Sequence, residues 1–168
     1  LLDDGIYGAN IIVSNNATVN SHHLIGFSSR DKSDVKINNL VVENNNIDSR
    51  SNETSLGLDI INTNGVSIKN NRIKTTGRYG IAIDYSNDAI VQNNIISLCS
   101  DSQSIAFISI YDCYNIECEC NTCKGVIHDP FASTDDYAIL VRSNSHNINI
   151  NEPNNTVFFD DSYTEGKV

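Results

Sequence analysis

The sequence predicts an all-β chain folded as a parallel β-helix, a single-stranded solenoid of about five to six coils carrying an internal asparagine ladder. Three observations lead there. The composition is that of strands and tight turns, a short unit recurs along the chain, and one slot of that unit holds Asn in five copies.

The 168 residues include 25 Asn, 23 Ile and 19 Ser, with only two Pro and no Trp. β-Branched Ile suits the pleated surface of a strand. Asn suits tight turns, because it tolerates left-handed backbone and bonds locally. The common helix formers are thin, and no amphipathic stretch of 10 or more residues stands between strands, as a βαβ crossover would require. The elements are therefore short strands joined by Asn turns.

The recurring unit is clearest at Val66–Ile73 and returns 23 residues later at Ala89–Ile96. It lies 26 residues earlier at Leu40–Ile47 and, 27 residues beyond the second copy, at Ile116–Cys123. Weaker copies start at Ile11 and Ile148. Apolar and polar residues alternate with period two, as a strand with one buried face requires. A second strand lies upstream in each unit: Leu58-Asp59-Ile60, Ile81-Ala82-Ile83 and Ile108-Ser109-Ile110. Leu140-Val141-Arg142 fits that slot only with a one-residue slip, since Arg142 would otherwise point inward. Asn16, Asn45, Asn71, Asn94 and Asn121 share one slot. Stacked about 4.8 Å apart, their amides can bond along the axis.

With 21 acidic and 11 basic side chains, the net charge of −10 disfavours nucleic acid as a partner. No apolar run approaches the roughly 20 residues of a membrane-spanning helix, so no membrane insertion is expected. The length suits one domain over residues 1–168, with core coils at about 6–157 and an exit segment at 158–168. Neither terminus carries an amphipathic capping helix. The expectation is thus a piece of a longer chain, or one stabilised by neighbouring chains.

The V-x-I-x-N-N-x-I unit, repeated over residues 6 to 157, resembles the right-handed parallel β-helix (pectate-lyase-like) superfamily, which includes pectate lyases, polygalacturonases and bacteriophage tailspikes. Such a motif specifies fold strongly and activity weakly. Leu58-Asp59-Ile60 and Ile73–Ile83 look like the first two active-site strands of polygalacturonases, with Asp59 at one acidic position. The second acid of that family is replaced here by Arg78-Tyr79, and its Gly-His-Gly motif is missing, so that hydrolytic machinery does not carry over.

Cys113, Cys118, Cys120 and Cys123 crowd into 11 residues. Three readings stand: buried core thiols, a zinc site, or one disulfide. Cys118 and Cys123 align with inward Ile68 and Ile73, and free Cys is among the most buried residue types. That favours core thiols, and no metal site is assigned.

The resemblance places carbohydrate chemistry on the outer face of one long sheet and the loops flanking it. The matching strands bring Asp59, Ala82 and Ser109 into one outward column and Ile61, Asp84 and Tyr111 into the next. Asp59 and Asp84 are one coil and two residues apart, about 8 Å between backbones. That separation suits an acid and base pair acting on a glycosidic bond with inversion. Exposed carboxylates on a solvated face are the plainer reading. Candidate substrate contacts are Arg78, Tyr79 and Tyr111, together with His128 and Asp129 in a longer insertion from Lys124 to Tyr137. The expected function is recognition, and cleavage as a glycosidase or lyase, of a surface or cell-wall polysaccharide, as in a tailspike. The alternative is a non-catalytic structural or adhesive module. No cofactor is expected, apart from Ca2+ if the chemistry is that of a lyase. The resemblance further implies a homotrimer located extracellularly or on a virion surface.

Overall fold

The computed structural model describes residues 9–19, 26–27, 37–49, 56–99, 105–125, 138–151 and 154–159. Seventeen strands, numbered in chain order, run through these residues, and none of them forms an α-helix. Among the described residues no helix is long and apolar enough to cross a membrane. The strands sort into three parallel sheets. Sheet A contains β3 (Gly26–Phe27), β6 (Leu58–Ile61), β9 (Tyr79–Asp84), β12 (Ala106–Tyr111) and β15 (Ile139–Arg142). Sheet B contains β1 (Ala9–Ser14), β4 (Ile37–Glu43), β7 (Thr63–Lys69), β10 (Asn87–Gln92), β13 (Tyr114–Glu119) and β16 (His146–Ile150). Sheet C contains β2 (Ala17–Val19), β5 (Asn46–Ser49), β8 (Arg72–Thr75), β11 (Ile95–Leu98), β14 (Thr122–Gly125) and β17 (Thr156–Phe159).

The chain passes from A to B to C and re-enters A one layer on, so each strand bonds to the strands three before and three after it. This is a parallel β-solenoid. Its regular centre is three complete turns, at residues 58–75, 79–98 and 106–125, where five to six coils were expected. Flanking strands extend sheets B and C to six strands each and sheet A to five.

The registers follow the sequence repeat residue for residue. Ile11 pairs with Leu40, Leu40 with Val66, Val66 with Ala89, Ala89 with Ile116 and Ile116 with Ile148. In sheet A, Leu58 pairs with Ile81, and Ile108 pairs with both Ile81 and Ile139. The last of these is the one-residue slip. It sets Arg142 against Tyr111 on the outer face.

Alternation sends Leu40, Ile60, Ile68, Ile83, Val91 and Ile110 into a core from which water is excluded. A parallel sheet closed on itself has one buried face, so each strand reads apolar-in and polar-out. β9 and β12 break this pattern once. Their ladder pairs Tyr79 with Ala106 and Ile81 with Ile108, skipping Gly80 and Phe107, which are both interior. Gly80 is required there, because a Cβ would sit 2.2 Å from Ile96 Cγ2 and 2.8 Å from the Phe107 carbonyl oxygen. The break is matched in both strands and leaves Tyr79 on the outer face, where its hydroxyl meets Arg142.

The Asn-Asn pairs divide their labour between backbone and side chain. The first residue of each, Asn15, Asn44, Asn70 and Asn93, takes a left-handed φ of 55–57° and turns the corner from sheet B to sheet C. Cys120 takes that place in the next turn, with φ of 56°. The second residue points inward and forms the ladder. Asn16 donates through Nδ2 to Oδ1 of Asn45, and the same bond links Asn45 to Asn71, Asn71 to Asn94, and Asn94 to Asn121, each at 3.0 Å. Asn155, a sixth member that the spacing did not reveal, accepts from Asn121 at 3.1 Å.

A second ladder of hydroxyls and a thiol lines the corner between sheets A and B. Thr63 donates through both its backbone N–H and its hydroxyl to Ser86 Oγ, at 3.1 and 3.0 Å. The Ser86 N–H donates to Cys113 Sγ at 3.4 Å, and the Cys113 N–H to Ser145 Oγ at 3.1 Å. Cys113 is thus a buried thiol with a specific hydrogen-bonding task. Cys118 and Cys123 are core thiols, and burial pushes both up to about 12. Since the thiolate is the reactive form, a colorimetric disulfide reagent is expected to label exposed Cys99 in the folded protein and to reach Cys113, Cys118 and Cys123 only on unfolding. Labelling of Cys118 or Cys123 at the rate of Cys99 would contradict this packing.

Candidate functional site

The outer face of sheet A gathers two carboxyls, a guanidinium and three tyrosines into one patch. Asp59 on β6 and Asp84 on β9 both point outward, between inward Leu58, Ile60 and Ile83. The register pairs Asp59 with Ala82 and Ile61 with Asp84, so the two carboxylates are diagonal neighbours in adjacent turns. One layer on, Ser109 continues the Asp59 column and Tyr111 the Asp84 column.

Arg142 closes the patch from the far side. Its Nη2 donates to Tyr79 OH at 3.0 Å and to Ser109 Oγ at 3.3 Å. Its guanidinium lies 5.6 Å from the ring centroids of both Tyr79 and Tyr111, within the range of cation–π attraction. Starting from β15, the side chain therefore lies back across β12 to reach β9. Tyr85 meets Tyr111 edge to face at 5.4 Å and 82°. The face is consequently not an open solvated one. Ala82 and Ser109 point away from the core yet are only 3% and 0% exposed.

This shielding acts on both carboxyls. Burial first, and the neighbouring Asp84 charge second, together raise Asp59 to about 6. Burial also raises Asp84, but the Arg142 guanidinium opposes that and favours its ionised form. Both carboxyls are thus raised, and only Asp84 has a cation beside it that opposes the rise. Such a difference in surroundings between neighbouring carboxyls is what acid–base chemistry needs.

Of the sequence-predicted residues, Asp59, Asp84, Tyr79 and Tyr111 come together on this face. Arg78 is exposed at the entry to β9, where its carbonyl accepts the N–H groups of Ile105 and Ala106. His128 and Asp129 lie outside the described residues. Arg142 was not among the candidates. Its signal was the slip at Ile139, which converts an Arg aimed at the core into one stacked on Tyr111. Among the described residues no group of three metal-ligating side chains converges, and all five Cys are free thiols.

No family model matches this sequence, and comparisons with curated proteins and with solved structures return no match. What the structure itself establishes is the architecture, an all-β parallel solenoid with stacked asparagines.

Proposed function

We propose that the outer face of sheet A recognises a surface or cell-wall polysaccharide and hydrolyses it, with Asp59 as general acid and Asp84 as general base. The observation that carries this reading is the diagonal pair of outward carboxyls in adjacent turns, both raised by burial, with Arg142 on the same face opposing the rise at Asp84 alone. Asp59 protonates the leaving glycosidic oxygen while Asp84 takes a proton from the attacking water. A backbone separation of about 8 Å leaves room for that water and favours inversion. Tyr79, Tyr85 and Tyr111 offer faces for sugar rings, and Arg142 offers a planar donor for hydroxyl or carboxylate groups. In keeping with its resemblance to tailspikes, the protein would act extracellularly or on a virion surface, as a homotrimer.

The test is reducing-end release from a panel of bacterial capsular and plant polysaccharides, with ultraviolet absorbance followed alongside. The expected result is reducing ends without an ultraviolet product, lost in both Asp59→Asn and Asp84→Asn while circular dichroism is unchanged. An unsaturated, absorbing product would convert the assignment to a lyase. Activity unchanged in both variants would move the chemistry off this face. Silence on every substrate, with no binding in an affinity-gel assay, would leave the rigid adhesive or structural module as the better reading.

A further inference from the structure

Away from sheet A, the outward side chains sort by charge in a way that the composition alone does not foretell. The chain is acidic by 10 charges, yet the outer face of sheet C carries Arg72, Lys74 and Lys124 against one described acid, Asp48. Sheet B carries the reverse, with Glu43, Asp88, Glu117 and Glu119 against Lys69. Each face also leaves an isoleucine in solvent. Ile12 on sheet B is 66% exposed, and Ile95 on sheet C, paired with Arg72 on one side and Thr122 on the other, is 42% exposed.

We infer that these two faces are complementary halves of one interface, the basic face of sheet C in one copy docking on the acidic face of sheet B in a second copy. Opposed charge sets register and partner choice at a protein–protein contact. The exposed isoleucines supply the apolar element that a charged rim surrounds. An anionic polymer would explain the basic face but not the acidic one or Ile12. A second copy accounts for both. Because the two patches differ, the contact is heterologous and leaves each docked copy with one unused B face or C face, so association continues until a ring closes or a stack grows. The inference does not depend on the catalytic reading of sheet A.

Light scattering coupled to size exclusion, run at low and then at raised ionic strength, tests it. The wild type is expected to exceed monomer mass at low salt and to fall toward monomer as salt screens the charges. The double variants Arg72→Glu/Lys124→Glu and Glu117→Lys/Glu119→Lys reverse outward charges, and because Glu119 also accepts from Gln92 and Asn151, circular dichroism checks that each variant still folds. Each alone is expected to weaken self-association about tenfold or more. Mixed together, they restore it, since the untouched C face of one meets the untouched B face of the other and the two reversed faces are again opposite in charge. A wild type that is monomeric at low salt overturns the inference. So does a mixture that fails to reassociate. Loss of association in the sheet C variant with none in the sheet B variant would also overturn it, and would mean that the basic face binds something other than sheet B.

Discussion

Asp59→Asn is expected to raise the unfolding free energy at pH 8 by about 2 kcal/mol, after allowing for the partial exposure of the group, and to lower cleavage about 10²–10⁴-fold. The carboxyl of Asp59 is raised from 3.8 to about 6, chiefly by burial and secondarily by Asp84. The folded state therefore binds its proton more tightly than the unfolded chain does. Stability from this group is fully present below about pH 4, and it is lost as pH rises through 6. Asn cannot ionise and escapes that cost. Urea midpoints of the two proteins should coincide near pH 3.5 and separate through the window between 4 and 6, with the variant the more stable above it. Equal midpoints at pH 8 would mean that the Asp59 carboxylate is well solvated, and the basis for a general acid at this position would go with it.

The same shift fixes the sign of the activity profile. A general acid must be protonated, so cleavage should decline as pH rises through about 6. The opposite limb belongs to Asp84, whose ionised form Arg142 favours. A variant that is more stable but inactive is the usual mark of a functional residue held in a costly state. A carboxylate serving only the fold would lose stability on removal, so the two measurements together separate the roles.

The fold was legible because a solenoid writes its register into sequence at a constant offset. Val66, Ala89 and Ile116 align by spacing alone, and the ladder brings those residues into hydrogen-bonded rows. What escaped notice was whatever departs from the repeat. Asn155 follows Asn121 by 34 residues, outside the spacing of the other copies. The corner of Thr63, Ser86, Cys113 and Ser145 is one structural column written with three residue types. Only the shared ability of a hydroxyl or a thiol to accept an N–H unites them, and pattern matching by residue name does not see that. The slip that carries Arg142 outward was legible, but its place in the patch was not. Its position depends on the register of the last turn, where one residue of slip exchanges the two faces of a strand. The carboxyl pair was visible as a spacing. Its electrostatic asymmetry was not, because it arises from Arg142 and from the covering of a nominally outward face.

Asn94→Ala is expected to cost about 4 kcal/mol, and Asn16→Ala no more than about 1 kcal/mol, although both remove one amide from the same ladder. Asn94 is fully buried and makes four bonds. Its Oδ1 accepts the N–H of Asn71 at 2.9 Å and Asn71 Nδ2 at 3.0 Å. Its Nδ2 donates to the Ile68 carbonyl and to Asn121 Oδ1, both at 3.0 Å. Truncation strands the Asn71 N–H and one Asn71 Nδ2 hydrogen and takes a donor from the Ile68 carbonyl where water cannot reach them, while Asn121 Oδ1 keeps the Asn94 N–H at 3.1 Å; each stranded group costs roughly 1–3 kcal/mol before relaxation. At the exposed end of the column, Asn45 Oδ1 keeps the Asn16 N–H after Asn16 is truncated, and solvent can replace the rest. Denaturant titration of the two variants measures the gradient. Asn94→Asp sharpens the test, because a carboxylate of the same shape accepts but cannot donate. It would set oxygen against oxygen at both Ile68 and Asn121, so it should be worse than Ala at pH 7 and should recover at acid pH once protonated. Equal costs for Asn94→Ala and Asn16→Ala would mean that the corners are held by the left-handed backbone of the preceding residue, with the amide column adding little.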